Sequence, residues 1–193
     1  MIILASTSGA RRAMLDAAGV WFESVAPDVD EEKVRVELAG AAPVALAEEL
    51  ARHKALSVPG GDRLVVGSDQ ILECDDGALL AKPCSVAKAR DQLRLLSGRS
   101  HQLHSAAAAA RSGAIIWTHV ESVEMEMRNL GDSFIDDYLA REGEVVLGSV
   151  GAYRIEGRGA QLFARIEGSH FAILGMPLLP LLAFLREQGE IAS

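Results

Sequence analysis

The chain opens with four consecutive apolar residues, Ile2, Ile3, Leu4 and Ala5, and turns polar at Ser6. A short apolar run ended by a turn is the pattern of a buried strand. The next segment, residues 10–18, reads as a helix closed by Gly19. That order of buried strand, turn and helix then recurs along the chain. Residues 21–26 read as a strand leading into the acidic residues Asp28, Asp30, Glu31 and Glu32, and residues 44–56 as a helix. Pro43 stands where a first helical turn accepts proline. Residues 63–68 read as a strand and 71–81 as a hairpin turning at Asp76-Gly77.

The second half continues the alternation. Val86, Ala89, Leu93 and Leu96 are spaced for a helix over 85–97, ended by Gly98. Residues 101–110 and 115–127 read as two strands joined at Ser112-Gly113. In the second of these, Val123, Met125 and Met127 share one face, and Glu124 and Glu126 the other. Asp132 or Ser133 is the expected cap of a helix reaching Arg141. A glycine-rich stretch, 143–159, precedes an expected strand over 160–166, and Pro177 begins a final helix to about Gln188. The fold class is α/β, a mixed sheet with helices around it.

Bulk properties narrow the function. At 193 residues the chain suffices for one core or for two lobes. Aromatics are only 5% of residues, so Ala, Leu, Val and Ile must build the interior. A net charge of −8 argues against a general binder of nucleic-acid polymers, which needs a basic face. Cys74 and Cys84 form neither a metal-ligand pattern nor a disulfide framework, as expected of reduced thiols in a cytoplasmic protein. The N-terminal run lacks the cationic start of an export signal. Residues 171–185 are broken by Gly175, Pro177 and Pro180 and are too short for a membrane span.

Three places carry candidate chemistry. Ser6-Thr7-Ser8-Gly9-Ala10-Arg11-Arg12 joins the first strand to a helix, where backbone N–H groups and the helix dipole favour an anion. Arg11 and Arg12 add forked donors suited to phosphate, although a Ser cap with two solvated arginines also fits. Asp69, in Gly67-Ser68-Asp69-Gln70, follows a buried β-run, as expected of a carboxylate that holds Mg²⁺ or activates water. A plain Ser-Asp turn is the alternative. The acidic residues at 28–32 offer a second metal-facing carboxylate or a solvated charge run. Lys54 and Lys82 are candidate partners for developing phosphate charge. The five histidines share no metal-ligand spacing.

The order of these fragments resembles the Maf family. The resemblance rests on Leu4-Ala5-Ser6-Thr7-Ser8 with Arg11-Arg12, Asp28 with Asp30-Glu31, Lys54-Ala55, Gly67-Ser68-Asp69-Gln70 and Lys82-Pro83. It continues through Leu96-Ser97-Gly98-Arg99 with His101, Gly151-Ala152-Tyr153, Ile155-Glu156-Gly157, Ile166-Glu167-Gly168-Ser169 and Gly175-Met176-Pro177-Leu178. It covers nearly the whole chain. It implies a single domain over 1–193, with an inosine triphosphate pyrophosphatase-like fold: a mixed twisted sheet whose two lobes flank a cleft. It further implies a hydrolase of the α–β phosphoanhydride bond of nucleoside triphosphates, dependent on Mg²⁺ or Mn²⁺, many relatives being homodimers.

Position by position, the resemblance implies that Asp69 is the proton acceptor. Ser8, Arg11, Arg12, Lys54 and Lys82 would bind the triphosphate, and Glu31 and Asp69 the metal. Gln70 and Glu156, where the dTTP/UTP branch usually has Thr and Gln, resemble the 7-methyl-GTP branch. A carboxylate at 156 suits guanine's N1–H and amine. The chain departs from the family at Ala10, which lacks a side chain that often helps select the base, and at Gly148-Ser149, where the pyrimidine branch has Asp-Lys. The rival expectations are the same hydrolysis of dTTP or UTP, and a nucleotide-binding regulator of cell division.

Overall fold

The computed structural model describes residues 1–192. In chain order the strands and helices are β1 (Ile2–Ala5), α1 (Gly9–Ala17), β2 (Phe22–Val25), α2 (Glu31–Glu37), α3 (Pro43–Ser57) and β3 (Val65–Cys74). There follow β4 (Leu79–Leu80), α4 (Val86–Leu96), β5 (Ser100–Arg111), β6 (Ala114–Met127) and α5 (Asp132–Glu142). The chain ends with β7 (Phe163–Glu167), α6 (His170–Ile173) and α7 (Leu178–Glu187). The strands form one open mixed sheet in the order β2-β1-β3-β5-β6-β7, with β4 paired to β3. β1 runs parallel to both β2 and β3, as buried strands joined through helices do. A two-residue loop with positive φ at Ser112 and Gly113 joins β5 to β6, the geometry that matches the twist of a hairpin.

Two compact units divide the chain. The first comprises Met1–Gln70, His104–Ser122 and the chain from Ser169 onward. β1 and the start of β3 are buried on both faces. On one side Ile2, Leu4 and Val66 pack with Met14, Leu15, Leu178, Leu181 and Phe184. On the other Ile3, Ala5 and Val65 pack with Val58. Ala107 and Ala109 complete the first of these clusters, as the scarcity of aromatics requires.

The second unit comprises Ile71–Leu103 and Val123–Gly168. Its buried residues include Ala89, Leu93 and Leu96 of α4, and Ile135 and Leu139 of α5. Val123, Met125 and Met127 are buried while Glu124 and Glu126 are exposed, the alternation that the sequence predicts.

Three expectations need correction, and one gains its structural setting. β3 does not stop at Ser68; it continues to Cys74, because the polar groups at 68–70 find partners in place and need not leave the sheet. In the acidic run Asp28, Asp30 and Glu32 are exposed, while Glu31 is half-buried. Glu31 and Glu32 form the first turn of α2, and Asp30 caps it by accepting from Lys33 N at 3.0 Å, a placement the helix dipole favours. Neither Asp132 nor Ser133 caps α5: Gly131 occupies that position without a side-chain bond, and Asp132 instead accepts from Arg94. The glycine-rich stretch forms three short 3₁₀ turns, so β7 begins at Phe163, three residues later than expected.

Candidate active site

β1 ends at Ala5, opposite Gly67 of β3. Beyond that pair the two chains part: Ser6–Ser8 turns into α1 while β3 runs on through Ser68, Asp69 and Gln70. The carboxyl end of β1 therefore leaves room beside β3, the position at which open α/β sheets bind ligands. Ser8 caps α1, its side chain accepting from Arg11 N at 3.4 Å. Its own N–H donates to Ser6 Oγ at 3.2 Å. Ala10 and Arg12 lie in the first turn of α1, Ala10 half-buried and Arg12 exposed.

Alternation along β3 sends consecutive side chains to opposite faces. Asp69 shares a face with Val65 and Gly67, and this face meets α3. Gly67 makes that meeting possible: a Cβ there would stand 2.2 Å from the Ala51 carbonyl oxygen and 2.5 Å from Ala55 N. With α3 this close, Lys54 is buried and its Nζ donates to Asp69 Oδ1 at 2.5 Å. The same Nζ lies 2.8 Å from Glu31 Oε1 at the start of α2. One ammonium thus holds two carboxylates from different elements. Asp69 and Lys54 side chains are each only 8% exposed, so their attraction is little screened, whereas Glu31 at 45% remains open to solvent.

Arg11 brings a second cation. Its Nε donates to the Gly175 carbonyl at 2.8 Å. Burial pushes its pKa down, and the charges of Asp69 and Glu31 oppose that shift, so both carboxylates act electrostatically on its guanidinium. On the opposite face of β3, Ser68 Oγ donates to the same Gly175 oxygen at 2.8 Å. Gln70 Nε2 donates to Ser105 Oγ and the Ala172 carbonyl, both at 2.9 Å, and approaches the Ile173 carbonyl at 3.1 Å.

The donor set fits a hard divalent cation. Asp69 Oδ2 is buried without a hydrogen-bond partner, and Glu31 supplies a second carboxylate at the same ammonium. Among the described residues no group of three His, Cys, Asp or Glu side chains could hold a metal. An ion here would therefore complete its shell with water and phosphate oxygens, the usual habit of Mg²⁺.

A profile of the family described as "Maf-like protein" matches residues 1–188. A nucleoside triphosphate pyrophosphatase of Granulibacter bethesdensis is 47% identical over 98% of this chain and 98% of its own. The chain belongs to the Maf family. A second relative, named 7-methyl-GTP pyrophosphatase, from Rhizobium meliloti, is 47% identical over 99% of this chain and 98% of its own. Among solved structures, a nucleoside-triphosphatase (dITP/XTP pyrophosphatase) of Mycobacterium abscessus aligns with a TM-score of 0.45 and 16% identity, covering 97% of this chain and 94% of that one.

In this Maf chain the residues at 11, 31, 54 and 69 come together within the first unit. Lys82 and Glu156 belong to the second unit. Lys82 is exposed between β4 and α4. Glu156 is exposed and accepts from Arg154 Nε at 3.0 Å. Sequence reasoning did not single out Ser68, Ser105, Gly67 or Gly175. Only the fragments Gly67-Ser68-Asp69-Gln70 and Gly175-Met176-Pro177 pointed towards three of them. Ser105, inside an apolar-looking strand, gave no signal.

Proposed function

We propose that this chain hydrolyses nucleoside triphosphates between the α- and β-phosphoryl groups, releasing a monophosphate and pyrophosphate. The observation that carries the reading is Lys54 Nζ between Asp69 Oδ1 and Glu31 Oε1, with Asp69 Oδ2 left unpartnered and Arg11 beside them. Lys54 fixes one oxygen of Asp69 and so orients the other, which accepts the proton of the attacking water. Arg11 and Arg12, with Ser8 at the positive end of α1, bind the phosphate oxygens and stabilise the charge that collects on the leaving pyrophosphate. A divalent cation, held by Glu31 and Asp69, would supply further neutralisation of phosphoryl oxygens.

The names of the relatives support the reaction, and some of them support 7-methyl-GTP as substrate. Gln70 and Glu156, where the dTTP/UTP branch usually has Thr and Gln, favour the same base, since a carboxylate suits guanine's N1–H and amine. The deciding experiment is a pyrophosphate-release panel over 7-methyl-GTP, GTP, dTTP, UTP and CTP, with Mg²⁺ or Mn²⁺ and with a chelator. Fastest release from 7-methyl-GTP, lost on chelation, is the expected result. Preference for dTTP or UTP would overturn the base and leave the reaction standing. Binding of nucleotide without release from any of them would overturn the reaction in favour of a nucleotide-binding regulator.

A further inference from the structure

Gly175 has no side chain, yet its carbonyl oxygen receives two side-chain hydrogen bonds. Ser68 Oγ and Arg11 Nε each donate to it at 2.8 Å. The segment that carries it is tied down at two further points. Ser105 Oγ donates to the Ala172 carbonyl at 2.6 Å, and Gln70 Nε2 donates to that carbonyl and approaches the next one. Ser68 and Ser105 are fully buried. Gly175 itself has φ +101, a conformation that side chains rarely adopt, and a Cβ there would stand 3.3 Å from Arg11 Nε and 3.4 Å from Arg11 Nη2. The place beside the Arg11 guanidinium is thus kept clear of any side chain, while a fixed backbone oxygen holds one of its nitrogens.

A guanidinium is rigid and planar, so anchoring Nε restricts the direction of both Nη groups. We propose that Ser68 and Gly175 are positioning residues: the Gly175 carbonyl, itself fixed by Ser68, sets the angle at which Arg11 offers Nη1 and Nη2 to a phosphate. The inference rests on the reading of Arg11 as a phosphate ligand. It assigns to the Gly175 segment and to the far face of β3 a part in substrate binding, although neither touches the substrate. Asp69 and Glu31 hold the charge of Arg11; the carbonyl directs it. Gln70 acts in the same way at one remove, since its amide nitrogen fixes the carbonyls that precede Gly175.

The test is a double-mutant cycle on phosphate affinity, which a merely structural serine would not move in this pattern. Binding of inorganic tripolyphosphate is measured by titration calorimetry for the wild-type chain, Ser68→Ala, Arg11→Ala and the double variant, with melting curves for each. Ser68→Ala should weaken binding about 10-fold in the wild-type background and leave it unchanged, within about twofold, once Arg11 is gone. Equal losses in both backgrounds overturn the inference and leave the phosphate reading intact. If the wild-type chain does not bind tripolyphosphate, the phosphate reading falls and the inference with it. Should Ser68→Ala melt too early to titrate, Ser68→Cys, which fills the same place with a much weaker donor, enters the same cycle with the same pattern expected.

Discussion

Gly67 lies so close under α3 that a Cβ on it would approach the Ala51 carbonyl oxygen to 2.2 Å. The nearest atoms are backbone, which cannot rotate aside as a side chain does. Close approach at Gly67 and the ion pair between Lys54 and Asp69 are therefore two aspects of one helix–strand contact, with Lys54 one residue before Ala55 and Asp69 two residues after Gly67.

Gly67→Ala should accordingly move α3 outward and destabilise the fold by at least about 2–3 kcal/mol, the upper part of the range for overpacking. Urea denaturation reads the loss. Pyrophosphate release should fall as well, because the same displacement separates Lys54 from Asp69. A variant as stable as the wild type would show that α3 has room the structure denies it.

Lys54→Met should be costly for a different reason. Asp69 is buried, and Oδ2 already lacks a partner, so removal of Lys54 leaves its carboxylate with no side-chain hydrogen bond among the described residues. Breaking a buried pair from one side costs roughly 3–5 kcal/mol. Glu31, being half open to water, adds little to that figure. Equilibrium unfolding of the variant checks the size of the loss.

Asp69→Asn separates chemistry from stability. The amide cannot accept the water proton as the carboxylate does, so release of pyrophosphate should fall about 10²–10⁴-fold. Lys54 keeps Glu31 as a counter-ion, and the stability loss should be smaller than that of Lys54→Met. Side-by-side rates and melting curves decide it. Near-normal turnover would remove Asp69 from the proton-acceptor role.

His101 supplies a pH dependence unrelated to the reaction. It is 1% exposed, shares a 2.7 Å hydrogen bond between Nε2 and the Tyr153 hydroxyl, and has no partner at Nδ1. Burial lowers its pKa from 6.5 to about 4, the charge of Asp75 opposing the shift. The native chain thus excludes a proton that the unfolded chain accepts below pH 6.5. This contribution to stability is whole above pH 6.5 and declines on acidification towards pH 4. Between about pH 7.5 and about pH 4.5 it amounts to about 2–3 kcal/mol. Urea midpoints across that range should fall less steeply for His101→Phe than for the wild type.

Much of the architecture was legible in local pattern. The unbroken apolar run at 2–5, the helical spacing of Val86, Ala89, Leu93 and Leu96, and the alternation through Val123, Met125 and Met127 each record which faces must leave water. What misled was polarity. Ser68, Asp69 and Gln70 looked like the end of a strand, and the acidic run could be read as metal-facing or as solvated charge, because sequence shows a polar group without its partner.

The sequence by itself determined the alternating α/β order, the buried strands and, through the spacing of short fragments, membership of the Maf family. Only the tertiary structure decided that Lys54, rather than a neighbour in sequence, holds both Asp69 and Glu31, and that a glycine carbonyl over a hundred and sixty residues away accepts from Arg11. Burial follows from side-chain composition read over a few positions, and so it is written locally. Pairing depends on where separate elements meet, and that is fixed only when the sheet and helices have closed on one another.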